Sequence, residues 1–207
     1  VAFLGQNGAG KSTLFQLLTG NQELSSGELY IDQDLLTTDN FKLKKKIGYL
    51  PQNPCLPKWV SGLEILRYSA SLHELENQKE LVDEALSYWD CDSFKKLPLE
   101  VCSHGMQKRI SLAIALLHDP NYLILDEPFS GLDLYHVYCL EKKIKERQKK
   151  GQLTIISTHI APYVAKLCQM VFIITAGNIK KIEGWGAFNE RERVAIIRSQ
   201  FERKGIA

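Results

Sequence analysis

The stretch Gly5–Thr13, "GQNGAGKST", decides the fold. Gly5, Gly10, Lys11 and Ser12 stand at the G-x-x-x-x-G-K-[ST] spacing of a phosphate-binding loop. Glycines let the backbone turn its N–H groups inward around phosphate oxygens, and a following helix adds the free donors of its first turn. Lys11 suits the β- and γ-phosphates of a nucleotide, and the Ser12 hydroxyl suits Mg²⁺. Gln6, Asn7, Gly8, Ala9 and Thr13 complete the phosphate-binding set. The flanks agree with this reading. "VAFL" ahead of the loop reads as a buried strand. Lys11–Thr19 reads as a helix, with Leu14, Phe15, Leu17 and Leu18 inward and Gly20 as its stop.

Outward from the loop, strands alternate with helices. "SGELYID" is a turn and a short strand, and "KKKIGYLPQNP" is a second, closed by Pro51 and Pro54. The run Lys42–Lys46 reads as a solvated lead-in to that strand, not as a nucleic-acid patch. "SHGMQKRISLAIALLH" is a helix stopped before Pro120, and "YLILD" is a buried strand. "LYHVYCLEKKIKERQKKG" is an amphipathic helix, basic toward its end and followed by Gly151. "LTIIST" and "VFIIT" are buried strands, "GNIKKI" adds another, and Asn189–Lys204 is a charged helix within the C-terminal segment 184–207. This alternation predicts a parallel α/β sheet. Residues 53–103 carry helical patterns but no strand, and read as a helical lobe inserted into a single domain spanning 1–207.

Composition sets outer bounds. The chain has 207 residues, 44% hydrophobic and 24% charged, with a formal charge of +2. That balance gives no argument for a nucleic-acid partner. No apolar run approaches bilayer length, and no signal peptide opens the chain. Five scattered cysteines without a Cys-x-x-Cys pair read as reduced cytosolic thiols. "VAFLG" opens the chain as if inside a fold element, so part of the domain is expected upstream of residue 1.

Two carboxylates end the strand "YLILDEP". Asp126 suits Mg²⁺, and Glu127 suits a general base toward an attacking water. His159 follows "LTIIST" at another strand end, where ligands bind in open α/β sheets, and suits a γ-phosphate contact. Gln52, between two prolines, is either a loop residue or a ligand of Mg²⁺ or water through its carbonyl. Asp133 in "SGLD" opens a helix and suits an N-cap. "VCSHGMQKRI", residues 101–110, puts Ser103 and Gly105 at a helix start, whose free N–H groups suit a phosphate.

Together these motifs resemble, in order and over nearly the whole chain, the ATP-binding cassette (ABC) ATPases. Gly5–Thr13 is similar to the Walker A loop and Gln52 to the Q-loop glutamine. Ser103–Met106 is similar to the signature segment, and Tyr122–Asp126 to Walker B. Glu127 is similar to the catalytic glutamate, Ser130–Asp133 to the D-loop, and His159 to the switch histidine. "CSHGM" departs from the family's commonest signature, "LSGGQ", and similar "SHGM" segments occur in subunits resembling ABC-2-type exporters. His104 is the main change. A histidine is among the residues that tolerate positive φ if the site needs it, and it could add a donor near the partner's ATP. Met106 in place of glutamine loses one polar group.

The resemblance implies a P-loop NTPase (RecA-like) α/β core, a small antiparallel β region and a helical lobe. It implies ATP and Mg²⁺ as ligands, with Lys11, Gln52, Glu127 and His159 catalytic and Ser12, Gln52 and Asp126 holding the metal. It also implies a head-to-tail homodimer or paired cassette, with Ser103, His104, Gly105 and Met106 reaching the partner's ATP and Asp133 in the D-loop. A separate membrane permease would be the transport partner, with the subunit on the cytoplasmic face of the membrane. An adenine-stacking aromatic, which the family carries ahead of Walker A, falls upstream of residue 1. The competing readings are a DNA- or ribosome-associated ABC ATPase and a non-hydrolysing regulatory cassette.

Overall fold

The computed structural model describes residues 1–202. Its main sheet has six strands: β1 (Ala2–Gly5), β4 (Ile47–Leu50), β5 (Tyr122–Asp126), β6 (Leu153–Ser157), β7 (Val171–Thr175) and β8 (Asn178–Lys181). Their order is β4-β5-β6-β1-β7-β8, parallel except for β8, which runs antiparallel to β7. A separate antiparallel pair, β2 (Tyr30–Ile31) and β3 (Asp34–Leu35), turns through Asp32 and Gln33, both at positive φ as a two-residue hairpin turn requires. The expected α/β architecture is therefore present, with its small antiparallel element.

Strand β5 shows why the sheet forms here. Leu123, Ile124 and Leu125 are buried, which suits a continuous apolar run covered on both faces. On one face lies a small cluster of Phe15, Leu36, Leu43, Ile47 and Ile124. On the other, Leu123 and Leu125 join a cluster that runs without a break through Ile110 and Leu112 into Leu66, Val82, Leu86 and Trp89. These last residues belong to α3 (Gly62–Leu72), to α4 (Gln78–Tyr88) and to its C-cap, inside the segment read as a helical lobe. Helix α3 starts at a capping box: Ser61 Oγ accepts from Glu64 N at 3.2 Å, and Glu64 accepts from Ser61 N at 2.8 Å.

The remaining helices are α1 (Lys11–Leu18), α2 (Phe41–Lys44), α5 (His104–Leu116), α6 (Leu134–Lys149), α7 (Ala161–Leu167) and α8 (Glu190–Glu202). Two of them correct the sequence reading. Lys42 and Lys44 lie in helix α2, where Asn40 caps Leu43 N at 3.1 Å and Leu43 is buried, and only Lys45 and Lys46 lead on into β4. Helix α7 falls between "LTIIST" and "VFIIT", in a stretch given no element from sequence, and Pro162 near its start is the signal that marks it. The charged C-terminal helix is present as α8, and its expected end at Lys204 lies outside the described residues.

Candidate nucleotide site

The phosphate loop lies between β1 and α1. Gly8 and Gly10 hold φ of 79° and 100°, and a Cβ at either would meet nothing within 4 Å. The loop is thus left-handed where only glycine is unstrained, and open where a phosphate would sit. Gly10 is the N-cap of α1 and supplies no side-chain acceptor, so the first-turn N–H groups remain available to a ligand. Lys11 is folded back over the loop, its Nζ donating to Gly5 O at 2.8 Å and Gln6 O at 3.1 Å. Those carbonyls hold the ammonium in a place that a phosphate can take over.

Across the loop, Ser12 Oγ donates to Asp126 Oδ2 at 2.7 Å. Asp126 is buried, and its other oxygen accepts from Ser157 Oγ. The parallel register brings this about, because β5 and β6 align Asp126 with Ser157. Ser157 also binds the next residue: Glu127 N donates to its Oγ at 3.0 Å. Glu127 itself stands at φ 45°, an uncommon conformation for a non-glycine residue. Its Oε2 lies 3.1 Å from Nδ1 of His159, whose side chain is largely exposed. Near this cluster, burial and then the Asp126 charge push the Tyr49 phenol up to about 12.

Two cavities meet at Asn7, Gln52 and Glu127. The smaller, about 280 Å³, is lined by Lys11, Ser12 and Asp126. The larger, about 830 Å³, opens past Ser130 and His159 toward α7 and α8. Hard oxygen donors, an ammonium and an open glycine loop in one place fit a magnesium-bound nucleotide. The exposed Gln52 sits in the loop after β4 and lines both cavities.

Ser103–Met106 lines neither cavity. Ser103 is the N-cap of α5, its Oγ accepting from Met106 N at 3.3 Å, while its own N–H meets the Met106 sulfur at 3.4 Å. Met106 thus takes over the reciprocal role that glutamine fills in a capping box, and the expected polar loss is partly made good by sulfur. His104 has no positive φ, so tolerance of that conformation is not what admits it. Its exposed ring instead covers Gly131: a Cβ there would lie 2.8 Å from His104 Cδ2. Asp133 is the N-cap of α6, accepting from His136 N at 2.9 Å and facing His136 Nδ1 at 2.8 Å.

Two residues of the site escaped sequence reading. Ser157 was visible only as the end of a strand. Lys108, in the "QKR" after the signature, is fully buried, and its Nζ donates to Glu127 O at 3.2 Å and Gln52 O at 3.3 Å. Burial pulls this ammonium down to about 8 against the raising effect of Asp126 and Glu127.

A parallel sheet with a glycine phosphate loop, a Ser–Asp oxygen pair and a carboxylate at the strand end defines a P-loop nucleotide-binding domain. Residues 1–130 match the family described as ABC transporter, and the chain belongs to that family. It is 33% identical over 182 residues to the uncharacterized ABC transporter ATP-binding protein YhcH of Bacillus subtilis, covering 87% of this chain and 59% of that one. It is 31% identical over 207 residues to YdbJ of the same organism, an uncharacterized ABC transporter ATP-binding protein, covering 100% of this chain and 67% of that one. The chain therefore spans about three fifths to two thirds of these relatives' length. The dimeric post-hydrolysis structure of the ATP-binding cassette MJ0796 with ADP and Pi superposes with a TM-score of 0.78. It is 22% identical, covering 88% of this chain and 85% of that one, and shares the fold.

Proposed function

We propose that this chain is the ATP-binding subunit of an ABC transporter and hydrolyses ATP at a head-to-tail interface between two copies. The observation that carries the reading is the Glu127 carboxylate, turned by its left-handed backbone to the rim of the Ser12–Asp126 cavity and in contact with His159. There Glu127 takes the proton of an attacking water, and His159 orients that carboxylate and faces the γ-phosphate. Lys11 and the donors of Gly5–Thr13 bind and align the phosphates. Ser12, Asp126 and Gln52 would hold Mg²⁺, which when bound neutralises phosphate charge.

Pairing of two copies is supported by the position of Ser103, His104, Gly105 and Met106 away from both cavities of their own chain. The dimeric state named for the MJ0796 cassette points the same way. A membrane permease as partner, with the subunit at the cytoplasmic face, is supported by the names of YhcH and YdbJ. Among the described residues no helix is long and apolar enough to cross a membrane. Export over import rests on the "SHGM" segment. Nucleic acid is not the partner this charge balance favours.

The test is Glu127→Gln. Vanadate-sensitive ATPase activity should fall by about a hundredfold or more while ATP binding persists. Unchanged turnover in this variant would remove Glu127 from the chemistry, and a wild-type chain that does not bind ATP would end the proposal.

A further inference from the structure

Lys108 is charged, fully buried and unused by the reading above. It projects from α5, the helix whose N-terminus is Ser103–Met106. Its ammonium reaches across to two carbonyl oxygens, those of Gln52 and Glu127, at 3.3 and 3.2 Å. These segments are 56 and 19 residues away in sequence, so no local geometry forces the contact. An ammonium in an apolar interior is costly unless its donors are met, and the carboxylates of Asp126 and Glu127 add attraction. An aliphatic side chain would fill that space without the desolvation cost. What the lysine adds is two directed bonds to the backbone of two residues at the rim of the phosphate cavity.

We propose that Lys108 is a positioning residue that ties the phosphate-facing end of α5 to the backbone of Gln52 and Glu127. The inference rests on the proposed ATP site. In a head-to-tail pair, Ser103–Met106 serves the partner's ATP while Gln52 and Glu127 serve the chain's own. Lys108 therefore joins, inside one chain, the parts it lends to two different sites. A shift of α5 on meeting the partner's phosphates is transmitted to the carbonyl side of Gln52 and Glu127 through the two bonds of this ammonium. Lys108 is buried and lines neither cavity, so it acts on turnover through the placement of the other two.

The experiment compares wild type, Lys108→Met, Lys108→Arg and Lys108→Gln in the full chain. In Lys108→Met, kcat should fall by about tenfold while KM for ATP stays within about threefold, because alignment is lost and binding is kept. Lys108→Arg, which keeps charge and donors, should lose less than Lys108→Met. Hydrogen–deuterium exchange of peptides spanning Gln52 and Glu127 should speed up in Lys108→Met and stay near wild type in Lys108→Arg. Should Lys108→Met not fold, Lys108→Gln serves, since its shorter neutral amide cannot span both carbonyls. It should then show a kcat loss of about threefold and faster exchange at one of the two peptides. Unchanged kcat with unchanged exchange in the folded variant overturns the proposal. The exchange measurement needs no turnover, so it reports on Lys108 even if the wild-type chain hydrolyses nothing, an outcome that would count against the ATPase reading alone.

Discussion

Ser12 and Asp126, 114 residues apart, meet through a 2.7 Å hydrogen bond from hydroxyl to carboxylate. The pair closes the floor of the phosphate cavity and presents two hard oxygens to one point. Ser12→Ala and Asp126→Asn should each raise the Mg²⁺ concentration for half-maximal ATP binding by about tenfold, and the double variant should be far from additive. Magnesium titrations of nucleotide affinity read this directly. Equal, additive effects would mean that the two oxygens do not serve one ion.

Ser157 supports both acidic residues at once, through Asp126 Oδ1 and the Glu127 amide. Ser157→Ala leaves a buried carboxylate short of one donor, which costs about 1–3 kcal/mol where it acts. Lower thermal stability together with a kcat reduced by about tenfold is expected, as is a gentler loss in Ser157→Thr. A variant with full turnover would make Ser157 structural only.

His118 and His73 stack with ring centroids 3.8 Å apart. Burial and then the neighbouring His73 pull His118 down to about 4. The folded chain therefore keeps this ring neutral where the unfolded chain, near 6.5, takes up a proton. Stability from this group is full above 6.5 and falls as the pH drops toward 4. Between pH 7 and pH 5 the loss should be about 1–2 kcal/mol, after allowing for partial exposure. Urea unfolding at both pH values should show a smaller difference in His118→Phe.

A methyl group on Gly131 would lie 2.8 Å from the exposed His104 ring, which must turn aside to admit it. Gly131→Ala adds both that clash and an alanine at φ +77°, and should destabilise by about 1–3 kcal/mol. In a His104→Gly background only the backbone part remains, so the two substitutions should couple by about 0.5 kcal/mol or more. Denaturant midpoints of the four forms measure the coupling, and strict additivity would show that the ring does not press on Gly131.

The phosphate loop was legible because its meaning is local: spacing, glycines and the start of the helix that follows all fall within Gly5–Thr13. Strand β5 was legible because burial on both faces leaves an unbroken apolar run. Helix α7, seven residues long, offered too short a period to see, and α2 hid inside a charge run whose cap was a single asparagine. Ser157 and Lys108 are the instructive omissions. One owes its place to strand register and the other to a side chain crossing between elements. Neither relation exists until the chain is folded. His104 was legible as an oddity, but its closeness to Gly131, on another segment, was not.

The apolar cluster that runs from β5 through α5 into α3 and α4 has a mechanical consequence. A lobe with its own core could swing on a hinge and would melt separately. Here Leu66, Val82, Leu86 and Trp89 share one interior with Leu123 and Leu125. Relative motion of lobe and sheet must therefore be a slide of close-packed surfaces over small distances, and heat should melt the two as one cooperative unit.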